Sequence, residues 1–457
     1  MGWGLWALDA ALREVLLFAA FGFLVGGLDD LVIDLIYIAR RLSGRGARLA
    51  VDALPRPATA GRLAMFVPAW DEVSVIGAML RSAVSRLDHL DYRIYVGVYP
   101  NDPGTIDAVS AVAADEPRVR LVIGPGDGPT TKGDNLNALW RALQADDAAE
   151  GFPTRAVVLH DAEDVVHPAE LRVYDALLDR HAMVQLPVQP LIREQEWPIS
   201  DVYADEFAEA HAKLMVVRGM IGARLPLAGV GCAIRCDALH ALADRRGGAP
   251  FDPQSLTEDY ELGLHLSQLG YTSRLARVAD GGDLVATRAY FPDDLLSAVR
   301  QKSRWMNGIA LAGWDRMGWG RPLAFTDHWI RARDRRAPLA MLVLAAGYLV
   351  IPLWSTTAAA HWLADAPMRP LEPLLVRLIE LNFAFLLWRL ACRVAFTTRF
   401  YGWREGVRAV PRVVVGNLIA LLAVIRAVRR YMKMLSGGAT VWDKTAHRFP
   451  TLAERGA

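Results

Sequence analysis

Residues 15–38 read VLLFAAFGFLVGGLDDLVIDLIYI, an apolar run of the length a bilayer crossing needs. Lipid offers the backbone no hydrogen-bond partners, which confines a single run of this kind to a helix. Asp29, Asp30 and Asp34 interrupt it. Carboxylates are expensive in lipid, so they are expected to face protein or water, or to lie near the inner boundary. No basic stretch precedes the run and no small-residue cleavage site follows it, which argues against a signal peptide. Two more spans are expected, near 338–362 and near 374–396. Arg40, Arg41, Arg45 and Arg48 follow the first span, and Arg331, Arg333, Arg335 and Arg336 precede the second. Arg399, Arg404, Arg408 and Arg412 follow the third, while the connector ADAPMRPLEP carries a single arginine. The positive-inside rule then predicts an outer N-terminus and a cytoplasmic segment 40–335. The apolar stretch 413–424, about 12 residues, is short for a span. With arginines on both sides it reads as an amphipathic helix in the inner interface, a fourth span being the alternative.

Composition agrees with a membrane protein: 53% of residues are hydrophobic and the mean hydropathy is +0.19. A formal charge of +1 leaves no electrostatic footprint for nucleic acid. Cys232, Cys236 and Cys392 form no disulfide framework, and no His/Cys cluster completes a zinc site, so reduced thiols are expected.

Between the spans, apolar strand-like runs alternate with helical patterns, as in a parallel βαβ sheet. Strands are expected at 62–70, 92–99, 119–123, 156–159 and 183–188, with helices over 72–86 and 105–114. The glycine-rich loop 124–134 matches neither the dinucleotide fingerprint nor the P-loop spacing. Four clusters punctuate this body: Val67-Pro68-Ala69-Trp70-Asp71-Glu72, His160-Asp161-Ala162-Glu163-Asp164, Thr257-Glu258-Asp259 and Gln301-Lys302-Ser303-Arg304-Trp305. Strand ends and helix starts are where an α/β enzyme gathers ligand-binding groups. Asp161 and Glu163, just past an apolar strand, could share a hard divalent cation, or form a solvated acidic turn. Asp259 opens an amphipathic helix, as a general base or as a cap. Gln301, Arg304 and Trp305 share one helical side, either for phosphate and sugar or for resting on the membrane.

Taken in order, these clusters resemble those of family 2 glycosyltransferases, the inverting nucleotide-sugar enzymes that include cellulose and hyaluronan synthases. The resemblance covers about residues 60–310 and is strongest to the glycosyltransferase part of the phage adsorption protein B group. Gly27-Leu28-Asp29-Asp30-Leu31, Tyr99-Pro100-Asn101-Asp102, Ala286–Pro292 and Trp442–His447 add to it. It implies an α/β fold of GT-A type, Rossmann-like with a mostly parallel sheet, joined to transmembrane helices. The expected parts are 1–50 (first helix and basic linker), 51–336 (cytoplasmic catalytic domain), 337–400 (two transmembrane helices) and 401–457 (interfacial helix and tail). By resemblance, Pro68, Ala69 and Glu72 line the nucleotide pocket and Asp102 sits near the base. Lys132, Asn135 and Asn137 lie near the diphosphate, and Asp161 and Glu163 hold Mg2+ or Mn2+. Asp164 is an alternative ligand, since Glu163 replaces the family's second Asp. Asp259 is the catalytic base with Glu258 beside it, Gly231 belongs to a small-residue loop under the acceptor, and Gln301, Arg304 and Trp305 meet acceptor and diphosphate.

The implied function is a multi-pass transferase of the bacterial inner membrane, using a nucleotide-sugar donor and a saccharide acceptor in exopolysaccharide synthesis. An envelope export partner or a homo-oligomer would supply a wider channel than three spans allow. The alternatives are a degenerate nucleotide-sugar-binding subunit of an envelope assembly complex, or a one-step transferase to a lipid-linked acceptor. Members of the adsorption protein B group commonly carry a C-terminal domain that binds cyclic di-GMP. No such domain is expected in a sequence ending at Ala457.

Overall fold

The computed structural model describes residues 2–44, 49–57, 61–193, 198–437 and 448–450. Arg45, Arg48 and the Trp442–His447 stretch lie outside the described residues. A long helix, α1 (Gly2–Leu42), leads into the α/β body. There the apolar runs become β1 (Leu63–Pro68), β2 (Tyr92–Val98), β3 (Val119–Ile123) and β4 (Ala156–Leu159). Helices α2 (Ile76–Arg86), α3 (Pro103–Ala113), α4 (Lys132–Glu150) and α5 (Glu170–Leu178) accompany them. β1 and β4 are buried throughout, as strands covered on both faces must be. Side chains alternate across β1. Leu63, Met65 and Val67 pack with Ile76, Met79 and Leu80, while Ala64 and Phe66 pack with Leu136, Leu139 and Trp140.

The sheet has seven strands. It continues through β5 (Met183–Gln185), β6 (Cys232–Arg235) and β7 (Ser273–Leu275), in the order β3-β2-β1-β4-β6-β5-β7. β6 runs antiparallel to both β4 and β5, and the other pairings are parallel. Two expected boundaries move. α2 starts at Ile76 rather than 72, because Asp71 has a left-handed backbone (φ 54°) and a turn fills 72–75. The strand expected over 183–188 stops at Gln185, ahead of Pro187, and Val188–Pro190 pairs instead with Thr287–Ala289 in a separate ribbon.

The remaining helices that matter for the site and the membrane are α6 (Ile199–Glu209), α7 (Glu258–Gln268), α8 (Leu295–Met306) and α9 (Phe325–Arg335). After them come α10 (Ala337–Leu363), α11 (Pro373–Tyr401) and α12 (Trp403–Leu435). Among the described residues three helices are long and apolar enough to cross a membrane: α1, α10 and α12, with mean hydropathies of 2.0, 2.0 and 1.8. Two features of this set differ from the sequence reading. The expected third span forms α11, but Arg377, Glu380, Arg389 and Arg393 keep it out of that set. The stretch 413–424 is not a short helix; it is the middle of a continuous helix of 33 residues.

The three acids of the apolar run in α1 face protein. Asp29 accepts from Trp329 Nε1 at 2.6 Å and pairs with Arg333 and Arg336. Asp30 lies 2.8 Å from Arg333 and 2.7 Å from Arg336. Asp34 pairs with Lys213 and accepts from Trp388 Nε1 at 2.7 Å. α12 binds the body through Arg412, fully buried among Asp201, Asp205 and Glu405, and through Ile419 against Tyr203 and Ala298. Its opposite side exposes Val407, Val414, Leu418, Ile425 and Met432.

Candidate active site

The first cluster forms the exit from β1. The Ala69 amide donates to Gly97 O at 2.8 Å, and the Trp70 ring meets Tyr99 edge-on at 5.2 Å. The Asp71 amide donates to Asp102 Oδ2 at 2.6 Å, and the Thr105 amide to Asp102 Oδ1 at 3.3 Å. Asp102 thus caps α3 and ties two strand exits together. Glu72 is buried, its amide donating to Thr105 Oγ1 at 3.0 Å. Asn101 and Gly128 exchange two hydrogen bonds of 2.8 Å, which fastens the glycine-rich loop to the end of β2.

Two residues expected near the diphosphate are braces instead. Asn135 donates to Gly97 O at 3.0 Å, and Asn137 exchanges hydrogen bonds with Phe251 at 2.7 and 3.1 Å. Both are 4% exposed and point into the core. They hold the first turn of α4 and the 251–258 loop in place, and so position Lys132 and Glu258.

The second and third clusters meet at Lys132. Its Nζ lies 2.5 Å from Asp161 Oδ1, 3.4 Å from Gly229 O and 3.8 Å from Glu258 Oε1. Burial works against its charge, but Asp161, Glu258 and Asp259 overcome that and hold the ammonium above its ordinary range. Asp259 moves the opposite way. Burial, then the charge on Glu258, push its carboxyl up to about 7, against the downward pull of Lys132. Its Oδ1 accepts from the Tyr260 amide at 2.8 Å. Gly229 covers it at φ 74°, where an added Cβ would stand 2.7 Å from Asp259 Oδ2, so only glycine suits that position.

Asp164, the alternative metal ligand, is turned inward. It accepts from the Asp161 amide and from His160 Nδ1, both at 2.9 Å, and is 3% exposed. His160 Nε2 lies 2.9 Å from Glu170. Burial opposes its charge, yet Glu170 and Asp164 raise the imidazole to about 10. This buried chain fixes the turn that presents Asp161, and it leaves Asp161 and Glu163 as the oxygen donors of that turn. Among the described residues no three His, Cys, Asp or Glu side chains form a complete metal cage. Asp161 and Glu163 would suit a hard cation that takes its remaining ligands from outside the protein.

A residue missed in the sequence shapes the 228–231 loop. Fully buried Gln185 donates to Leu186 O (2.8 Å), Val230 O (2.9 Å) and Gly231 O (3.1 Å), and it accepts from the Ala228 amide (2.8 Å). The fourth cluster lies on α8, and Thr257 packs on Gly308 just beyond it. Gln301 Oε1 is buried with no protein hydrogen-bond partner among the described residues. The Trp305 ring packs edge-on against Tyr203 at 6.0 Å and lies tilted against Phe207 at 6.2 Å. Lys302 turns away to Glu206, at 2.5 and 2.6 Å.

A family model described as glycosyltransferase-like family 2 matches residues 60–308, a segment that holds all four clusters. The chain belongs to this glycosyltransferase family. Bacteriophage adsorption protein B of Escherichia coli K12 is 35% identical over 98% of the transferase chain. Bacteriophage N4 adsorption protein B of Escherichia coli O157:H7 matches at the same identity and coverage. The chain spans 64% of the length of these relatives. Among solved structures, a mannosyltransferase from Pyrobaculum calidifontis in complex with GDP-Man and Mn2+ superposes with a TM-score of 0.51 at 17% identity. It covers 92% of this chain and 99% of its own, a likeness of fold.

Proposed function

We propose that the chain is a membrane-bound inverting glycosyltransferase that moves a sugar from a nucleotide-sugar donor to a saccharide acceptor in bacterial exopolysaccharide synthesis. The observation that carries this reading is the convergence of Asp161, Glu258 and Asp259 on one ammonium, Lys132. Asp259, pushed up to about 7, has the proton affinity a general base needs near neutral pH. It takes the proton of the acceptor hydroxyl as that oxygen bonds to the anomeric carbon. Lys132, freed from Asp161 as the donor arrives, pairs with diphosphate oxygens, and Arg304 adds a second cation. Pro68, Ala69 and Glu72 border the nucleotide, Asp102 holds the strand exits beside it, and Gly231 supports the acceptor loop. Gln301 offers Oε1 to a sugar hydroxyl, with Trp305 one helical turn further on. Asp161 and Glu163 would hold Mg2+ or Mn2+, whose chemistry is to neutralise the diphosphate as it departs.

The transferase body is placed on the cytoplasmic side of the inner membrane, where nucleotide sugars are made and where arginines flank the spans. Although α12 is long and apolar enough to cross, its grip on the body keeps it in the plane of the inner interface. One side grips the body through Arg412, and the other offers a valine-leucine stripe to lipid. Similarity to proteins named for bacteriophage adsorption fits an envelope setting. The test is a panel of nucleotide sugars given to the purified chain in detergent with Mg2+ or Mn2+. Consumption of one donor with release of nucleoside diphosphate is expected. Donor binding without release identifies a degenerate subunit, and a product limited to one sugar on a lipid identifies a one-step transferase.

A further inference from the structure

Where α1 and α11 meet the α/β body, the structure leaves a cavity of about 260 Å3. Its floor is Asp34 and Lys213, its walls include Tyr37 and Phe396, and Arg41 and Arg399 also line it. The floor is electrically closed. Asp34 pairs with Lys213, Lys213 lies 2.5 Å from Glu209, and Arg389 lies 2.8 Å from Glu209. Two carboxylates therefore meet two cations. The two arginines are different: both are exposed, and neither has a carboxylate within ion-pair distance among the described residues. The cavity is thus apolar along its sides, neutral at its base and carries two unmatched guanidinium groups.

The open side continues onto exposed apolar surface. Leu35 and Leu42 stand three residues before and four after the lining Ile38, on one stripe of α1, and are 54% and 83% exposed. A small polar anion would match the arginines and leave these walls and this stripe bare. A neutral amphiphile would match the walls and leave the arginines bare. Guanidinium forks bind phosphate with two parallel hydrogen bonds, and each arginine near an anionic lipid surface adds about fivefold in affinity.

We propose that this cavity holds the phosphate head of an anionic membrane lipid, with Arg41 and Arg399 on the phosphate and the tail along the Leu35–Leu42 stripe. The same chemistry describes a bulk phosphatidylglycerol and a polyprenyl phosphate sugar carrier. None of these residues belongs to the candidate active site, so the proposal stands or falls separately from the transferase reading.

The experiment is lipid binding to the full purified chain in detergent, read by native mass spectrometry and thermal shift. The probes are dioleoyl phosphatidylglycerol, dioleoyl phosphatidylcholine, polyprenyl phosphate and inorganic phosphate. The expected result is a preference for phosphatidylglycerol over phosphatidylcholine of about tenfold or more, reduced to about one in R41Q/R399Q. R41K/R399K, which keeps the charges, and R377Q, at the far end of α11, should retain a preference. Displacement of phosphatidylglycerol by polyprenyl phosphate supports the site with a sugar carrier as its lipid. Failure to displace supports it with bulk lipid. Equal preference in the wild type and R41Q/R399Q overturns the proposal, as does equal protection by inorganic phosphate alone. If R41Q/R399Q does not fold, R41K/R399K and the wild-type preference decide: no preference in either overturns it.

Discussion

Replacing Lys132 by methionine removes a cation that Asp161, Glu258 and Asp259 share, at little change in volume. At the 3.8 Å that separates Nζ from Glu258, an ammonium and a carboxylate attract by about 4 kcal/mol at an effective dielectric of about 20. That energy equals about 3 pKa units. Asp259, the next residue, feels the same charge; if a third of that effect reaches it, its carboxyl rises by about 1 unit. Its starting point is about 7, so the acid limb of kcat/KM should move to about pH 8. At pH 7 the ionised fraction then falls from about half to about a tenth, a loss of about fivefold from titration alone. The lost contact to the diphosphate adds a pH-independent drop of about tenfold or more. The assay is nucleoside diphosphate release across pH 5.5 to 9.5 for wild type, K132M and K132R (about 1 unit of limb shift being the signal). K132R should bring the limb back toward its original position. An acid limb that stays in place in K132M would refute the coupling between this lysine and the base.

Asp259→Asn should abolish transfer, by about a thousandfold or more, while nucleotide-sugar affinity in a binding assay changes little, because the group acts on the acceptor proton. Full turnover by that variant would remove Asp259 from the role. His160 has a folded-state pKa of about 10, above its unfolded value, so its contribution to stability is complete below about pH 6.5 and is lost as pH rises toward 10. Thermal melts in detergent should therefore fall over that window. H160Q should lower stability by about 3–5 kcal/mol at pH 6.5, since it leaves Asp164 and Glu170 buried without their cation. A flat melting profile in the wild type over that window would contradict a charged imidazole.

The first four strands of the body were legible, because strands buried on both faces must be nearly all apolar, and β1 and β4 are. The acid clusters were legible for a related reason, standing where an apolar run stops or, for Glu258 and Asp259, where an amphipathic helix opens. What the letters concealed depends on partners distant in the chain. Asn135 and Asn137 look like polar ligands, yet Asn137 is matched to Phe251 by two hydrogen bonds. Gln185 sits in an ordinary strand, and only the fold brings the 228–231 loop to it. The length of α12 was hidden by Pro411 and Arg412, which break the apolar run without breaking the helix. A buried arginine there is tolerated because Asp201 and Asp205, from α6, meet it. The antiparallel insertion of β6 had no local signature, since a strand of four residues looks the same in either direction.

The most direct test of a shared catalytic centre is anomalous diffraction from crystals of the chain with Mn2+ and a nucleoside diphosphate. The predicted result is a manganese peak held by Asp161 and Glu163, with the Asp259 carboxylate facing the same cleft. A peak elsewhere, or one that persists unchanged in Asp161→Ala, would contradict it.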